Sequence, residues 1–153
     1  MAGSGESASY KLWPRFVFPD ESRPQLYAES MTRILHLAEL EHWQSAQTKG
    51  EYRQSTRGAV LEDVGFIHCS SQQQLPVVAS FIYAGYANEL VVLELDATAI
   101  ANAGIEIRME DGGNGELYPH LYGPLKTDWI KETYSAEMSN GVLIAPMFYN
   151  EPR

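Results

Sequence analysis

Three of the four histidines in the sequence lie among apolar neighbours. His36 lies in the run LHL, His68 in the run IHC and His120 in the run PHL. A buried imidazole needs a hydrogen-bond partner, and burial shifts its pKa. Each histidine alone is interpreted as a core residue, because perturbed histidines also serve structure. Three together favour one shared pocket, so the sequence predicts that they are catalytic and line one cleft.

The spacing of these histidines argues against a metal site. They lie dozens of residues apart, and the chain has no H-x-H, H-x-x-x-H or Cys-x-x-Cys pair, so no metal is expected. Cys69 directly follows His68, and adjacent strand residues point to opposite faces. The two therefore cannot form a thiolate–imidazole pair, and Cys69 is interpreted as a small core residue.

Other polar residues near the histidines could bind a ligand. Arg53 and Arg57 lie between His36 and His68 and could hold an anionic group. Glu116 shortly precedes His120, so either side chain could orient the other. His42 has glutamate neighbours in a polar stretch and is expected to be exposed. The expected ligand-binding residues are Tyr52, Arg53, Ser70, Glu116 and Tyr122.

Composition narrows the class of partner. The chain has 153 residues, 44% of them apolar, which suits one folded domain. A net charge of -9 disfavours nucleic acid and anionic membranes, which bind clustered basic residues. No apolar run approaches the roughly 20 residues of a membrane span, and residues 1–10 lack the features of a signal peptide. We expect a cytoplasmic protein with a small-molecule substrate, and the oligomeric state stays open.

Strand and helix signals alternate and predict an α+β fold. The predicted strands cover residues 33–37, 66–70, 89–96, 105–109, 129–133 and 141–145. The predicted helices cover residues 39–49, 71–83 and 97–103. The second of them begins with a capping box, and Pro76 is expected to bend or delay that helix. The remaining segments are an irregular loop at 51–64, a hairpin tip at 112–115 and an ordered loop or irregular strand at 116–125. The predicted organisation is a flexible arm at 1–32, one catalytic-type domain at 33–145 and a tail at 146–153.

The motifs, taken in order, resemble the domain of unknown function 952 family over about residues 33–133. The sequence letters that carry this resemblance are ILH at 34–36, GEYR at 50–53, GFIHCS at 65–70, LELD at 93–96 and YPHLYGPL at 118–125.

The resemblance also implies a distant similarity to the ADP-ribosyltransferase superfamily, most of all to its RNA 2′-phosphotransferase branch. It implies a small split β-sheet with two or three short helices and NAD in a cleft between the sheets. His36 would then match the first-strand histidine that contacts a ribose, and His68 the second-strand histidine. His120 would stand where many transferases have a glutamate, and a neutral imidazole stabilises an oxocarbenium-like state less well than a carboxylate does.

Three functions are compatible with these features. The leading hypothesis is an ADP-ribosyltransferase-like enzyme that binds NAD or another ribose-phosphate ligand in a histidine-lined cleft. One alternative is a small-molecule biosynthetic enzyme that uses the histidines as general acid and base without NAD. The other is a non-catalytic ligand-binding protein. The acidic charge and the few arginines slightly favour the second hypothesis, because a pyrophosphate group needs positive charge.

Overall fold

The computed structural model of the protein describes residues 33–148 of the chain. The predicted N-terminal arm and residues 149–153 of the predicted tail lie outside the described residues. Within the described part, the strands are β1 (Leu35–Glu39), β2 (Glu51–Tyr52), β3 (Gln54–Thr56), β4 (Ala59–Val60), β5 (Ile67–His68), β6 (Leu90–Leu95), β7 (Glu106–Asp111), β8 (Leu117–Tyr122), β9 (Leu125–Lys126), β10 (Ile130–Ser139) and β11 (Val142–Ile144). The helices are α1 (Leu40–Lys49), α2 (Leu61–Val64), α3 (Leu75–Ile82) and α4 (Ala97–Asn102), with 3-10 turns at Thr127–Trp129 and Pro146–Phe148.

Two antiparallel sheets form most of the fold. One has the strand order β1-β6-β10-β11 and the other the order β5-β8-β7, while β2 pairs with β9 and β3 with β4. The two larger sheets touch at one antiparallel bridge between Leu35 and Ser70, whose backbone N–H groups each donate to the other's carbonyl over 2.8 Å. This mixture of small sheets and helices confirms the α+β prediction at the level of fold class. None of the helices within residues 33–148 is long and apolar enough to cross a membrane.

Strand β6 lies between β1 and β10, and all six of its side chains are buried. Its residues alternate between two apolar cores, as the period of a strand requires. Val91, Leu93 and Leu95 pack into a first core, which also contains side chains of α1, β5 and β8. Leu90 and Val92 pack into a second core with side chains of β1, α3 and β11. A strand this apolar was predicted at residues 89–96 and is confirmed.

The helix signals in the sequence are also confirmed. Helix α1 ends at Gly50, whose φ of +86° suits glycine and whose N–H donates to the carbonyl of Ala46 over 2.6 Å. Before α3, the N–H of Gln74 donates to Ser71 Oγ and the N–H of Ser71 donates to Gln74 Oε1, which is a reciprocal capping box. Pro76 lies in the first turn of α3, so the regular helix begins only at Leu75.

One predicted segment differs from the structure, and another adopts one of its two predicted forms. Residues 51–64 were expected to form an irregular loop, which is wrong: they contain β2, the β3–β4 hairpin and α2. Strands of two or three residues are too short to have a periodicity. Residues 117–122 form the central strand of the three-stranded sheet despite Pro119, because the carbonyl of Pro119 still accepts from the N–H of Cys69 over 2.9 Å.

Candidate functional site

The three apolar-flanked histidines converge where the two larger sheets meet. His68 on β5 and His120 on β8 are direct cross-strand partners, and their ring centroids lie 5.4 Å apart at 71°. His36 on β1 contacts this pair through its Nδ1, which lies 2.6 Å from the carbonyl oxygen of His68. All three residues are buried, with exposed fractions of 0 to 4%. The structure therefore brings the three predicted residues together.

His36 joins three strands. On β1, Leu35 and Leu37 pack into the second core, so the His36 side chain points to the opposite face. Because a carbonyl can only accept, His36 Nδ1–H donates to the carbonyl oxygen of His68. The Nε2 of His36 therefore accepts from the Tyr52 hydroxyl over 2.8 Å. Burial lowers the pKa of His36 to about 4 and raises the pKa of Tyr52, so both side chains are neutral near pH 7.

The proton position on His68 follows from its partner, Ser55. The Ser55 hydroxyl has one proton, which it donates to the carbonyl of Phe66 over 2.6 Å. Ser55 Oγ must therefore accept from His68 Nδ1–H, 2.9 Å away, and the lone pair of the neutral ring lies on Nε2. Burial, together with the nearby His120 and His36, lowers the pKa of His68 to about 3.

His120 is held by a carboxylate. Its Nδ1 lies 2.8 Å from Glu110 Oε1, and the Tyr122 hydroxyl donates to the same oxygen over 2.6 Å. The ring of Phe66 stacks on the imidazole at 4.0 Å. Burial lowers the pKa of His120, while Glu110 opposes that shift. Burial also acts to raise the pKa of Glu110, but the hydrogen bonds from Tyr122 and His120 outweigh it and lower that pKa.

The face opposite His68 contains Cys69. Ile67 and Cys69 pack into the first core, which confirms that the thiol and the imidazole of these adjacent residues point in opposite directions. Burial raises the pKa of the Cys69 thiol, so the thiolate needed for nucleophilic attack is disfavoured. Within residues 33–148, no group of three or more His, Cys, Asp or Glu side chains is arranged to hold a metal ion.

A small cavity lies beside His36 and His68, whereas His120, which was also predicted to line the cleft, is not among its lining residues. Its volume is about 20 Å³, which is room for roughly one water molecule. Its other lining residues are mainly apolar: Leu37, Thr56, Ser70, Leu75, Val78, Ile82 and Tyr83. Pockets for drug-sized ligands are on the order of 300–1,000 Å³. The site is therefore closed in this conformation, and a ligand larger than water needs it to open.

Three of the five expected ligand-binding residues lie at the histidines. Ser70 lines the cavity, Tyr52 contacts His36 directly, and Tyr122 reaches His120 through Glu110. The other two lie elsewhere in the structure.

Arg53 is exposed, and its guanidinium contacts Glu51 over 2.6 Å and Glu62 over 2.8 Å. Glu116 is buried and accepts from Gln74 Nε2 over 2.9 Å. The expected pairing of Glu116 with His120 is therefore wrong, because Glu110 contacts His120 instead.

Arg57, the remaining candidate, and His42, which was expected to be exposed, both have contacts outside the cavity. Arg57 donates to the carbonyl of Ile82 over 3.0 Å rather than pointing into the cavity. His42 lies 3.7 Å from Glu39, and 39% of its side chain is exposed, in line with its predicted position outside the site.

The side chains that contact two of the histidines could not be recognised from the sequence. Glu110 had no predicted role, and it reaches His120 diagonally because the register of β7 and β8 pairs Arg108 with His120. Ser55 gave no signal, because its strand lies in the segment expected to be an irregular loop.

Comparisons with known proteins identify the family. The family model "Protein of unknown function (DUF952)" matches residues 37–133. A crystal structure of protein CC0527 from Caulobacter crescentus is similar with a TM-score of 0.64 and 24% identity, covering 77% of this chain and 96% of that chain. A solution structure of CC0527 gives a TM-score of 0.57 and 27% identity, covering 73% and 91%. No curated protein matches the chain. The chain belongs to the DUF952 family of proteins of unknown function.

Proposed function

We propose that this protein is an enzyme that carries out general acid–base chemistry on a small molecule, with His120 as the base. The observation that supports this proposal is the hydrogen bond from His120 Nδ1–H to Glu110, beside a second imidazole whose ring lies 5.4 Å away. A histidine whose Nδ1–H is bound by a carboxylate has a fixed orientation and tautomer, and the carboxylate stabilises the imidazolium that forms when the ring accepts a proton.

The proton follows one route in this proposal. A hydroxyl or other protic group of the ligand gives its proton to His120 Nε2, and the resulting imidazolium lies against the Glu110 carboxylate. The same proton then returns from Nε2 to the product or leaving group, so the enzyme ends the cycle unchanged. Tyr122 keeps the acceptor oxygen of Glu110 in place through its own hydrogen bond.

His68 has a different role because its surroundings differ. Its Nδ1–H donates to a neutral hydroxyl rather than to a carboxylate, and its pKa is about 3. It therefore stays neutral and offers the Nε2 lone pair as a hydrogen-bond acceptor for a donor group of the ligand. Environments that separate the pKa values of two neighbouring groups are typical of acid–base sites.

The experiment that tests this function compares variants on a mixture of small molecules. Purified protein is incubated with a metabolite extract, and mass spectrometry records which compounds are consumed. We expect the wild type and the control His42→Ala to consume the same compound, and His120→Gln to slow this by about 10²–10⁴-fold. If the wild type consumes nothing, or if folded His120→Gln is equally active, the proposal is wrong.

NAD or another ribose-phosphate ligand is the second candidate substrate, in an ADP-ribosyltransferase-like reaction. The position of His36 on β1, where two separate sheets touch, favours it, because such a junction could open into a cleft. Binding to the native state at a hundredfold excess over the Kd stabilises by about 2.7 kcal/mol. NAD and ADP-ribose should then raise the Tm of the wild type, and His36→Ala should reduce the shift. No shift at millimolar ligand would exclude this candidate.

A further inference from the structure

The β3–β4 hairpin combines a contact to a histidine with a wall of the cavity. Ser55 is fully buried and accepts from His68 Nδ1–H, while the next residue, Thr56, lines the cavity. The hairpin therefore touches both the imidazole and the space beside it.

The exposed side chain of Arg57 links the β3–β4 hairpin to the C-terminal end of α3. The guanidinium of Arg57 donates to the carbonyl of Ile82 and lies 5.3 Å from the ring centroid of Tyr83 and 5.0 Å from that of Tyr86. Ile82 and Tyr83 line the same cavity as Thr56. Arg57 thus links two walls of the cavity, and cation–π contacts at exposed sites are weak, so they can open and close easily.

We propose that Ser55 is a positioning residue that fixes the proton of His68 on Nδ1, and that the β3–β4 hairpin, which carries Ser55, covers the histidines. The hairpin moves aside when a ligand enters the site. This inference rests on the acid–base function proposed above. When the Arg57 contacts release, the cavity widens and Ser55 leaves His68, which is then free to change tautomer. When the hairpin closes over a ligand, Ser55 returns, and the Nε2 lone pair of His68 again faces the bound molecule.

The first test measures the tautomer of His68 directly. The nitrogen-15 chemical shifts of histidine-labelled protein distinguish a ring protonated on Nδ1 from one protonated on Nε2. At pH 7 we expect the Nδ1–H form in the wild type, a mixture or the Nε2–H form in Ser55→Ala, and recovery of the Nδ1–H form in Ser55→Thr. A folded Ser55→Ala protein with the wild-type tautomer would overturn the positioning role.

The second test measures access to the histidines. Diethyl pyrocarbonate modifies accessible neutral imidazoles, and mass spectrometry gives the rate at His68. We expect modification of His68 to be several-fold faster in Arg57→Ala than in the wild type or in the exposed-residue control Lys49→Ala, with the rate at His42 unchanged. Equal modification rates at His68 in all three proteins would overturn the proposal that the hairpin covers the histidines. Neither readout needs a substrate, so both decide the inference even if the metabolite experiment fails.

Discussion

At the residue scale, the three buried imidazoles differ mainly in what accepts their Nδ1–H. The acceptor is a backbone carbonyl for His36, a hydroxyl for His68 and a carboxylate for His120. Only the carboxylate carries a charge that favours the protonated ring. This difference in chemistry, rather than burial, is why His120 is the base in our account.

The charge of Glu110 can be removed with little change in shape. In Glu110→Gln the amide oxygen can still accept from His120 Nδ1–H, but it no longer favours the imidazolium. We therefore expect a lower pKa of His120 than in the wild type, measured by histidine NMR titration. The titratable and charged groups that face His120 are Glu110, Arg108, His68 and Tyr122. Tyr122→Phe is the matched control, because it removes a hydroxyl but keeps the charge of Glu110, and it should change the His120 pKa less. An unchanged titration in Glu110→Gln would contradict the role of the carboxylate.

Cys69 should affect stability but not activity. It is 1% exposed and packs into the first core, facing away from His68. Cys69→Ser places a hydroxyl in that core and should lower the free energy of unfolding by about 1–3 kcal/mol, measured by denaturant titration. Consumption of the compound by the folded variant should stay within a few-fold of the wild type. An inactive variant with unchanged stability would mean that the thiol belongs to the site.

At the element scale, Gln74 joins α3 to the hairpin between β7 and β8. It completes the capping box with Ser71 and donates to Glu116 over 2.9 Å and to the carbonyl of Leu117 over 2.8 Å. Gln74→Ala removes these bonds and leaves the buried Glu116 with one partner fewer. We expect a loss of about 1–3 kcal/mol in the free energy of unfolding. Ser80→Ala, in the same helix but exposed, should cost much less, and equal losses would contradict this role of Gln74.

Elements with a strong local signal were predictable from the sequence. Strand β6 is apolar throughout, α1 ends at a glycine, and α3 begins with a capping box, and all three lie where the sequence indicated. The β3–β4 hairpin was not predictable, because its strands have two or three residues and depend on contacts with α3 and β5. Glu110 could not be assigned to His120 without the register of β7 on β8, which is a long-range property of the sheet.

At the scale of the whole molecule, the buried histidines make stability depend on pH. The pKa of His36 is about 4 and that of His68 about 3, both below the ordinary histidine value of about 6.5. Below pH 6.5 the unfolded chain therefore binds protons that the folded chain does not. Their stabilising contribution is complete above pH 6.5 and is lost progressively as the pH falls from 6.5 towards the folded-state values.

Denaturant unfolding at pH 7 and pH 5 measures this effect. The two groups together should lower the free energy of unfolding by about 2–3 kcal/mol per pH unit near pH 5. The control His42→Ala should follow the wild-type curve, because that side chain lies outside the buried cluster. A free energy of unfolding that is constant between pH 7 and pH 5 would mean that the imidazoles are not buried and neutral.

The most direct test of the central claim is a double-mutant cycle on turnover of the consumed compound, with His120→Gln, Glu110→Gln and the double variant. If Glu110 acts through His120, removing it after His120 is gone has no further effect. The account therefore predicts that the double variant is no slower than His120→Gln alone. Losses that multiply in the double variant, or full activity without His120, would contradict it.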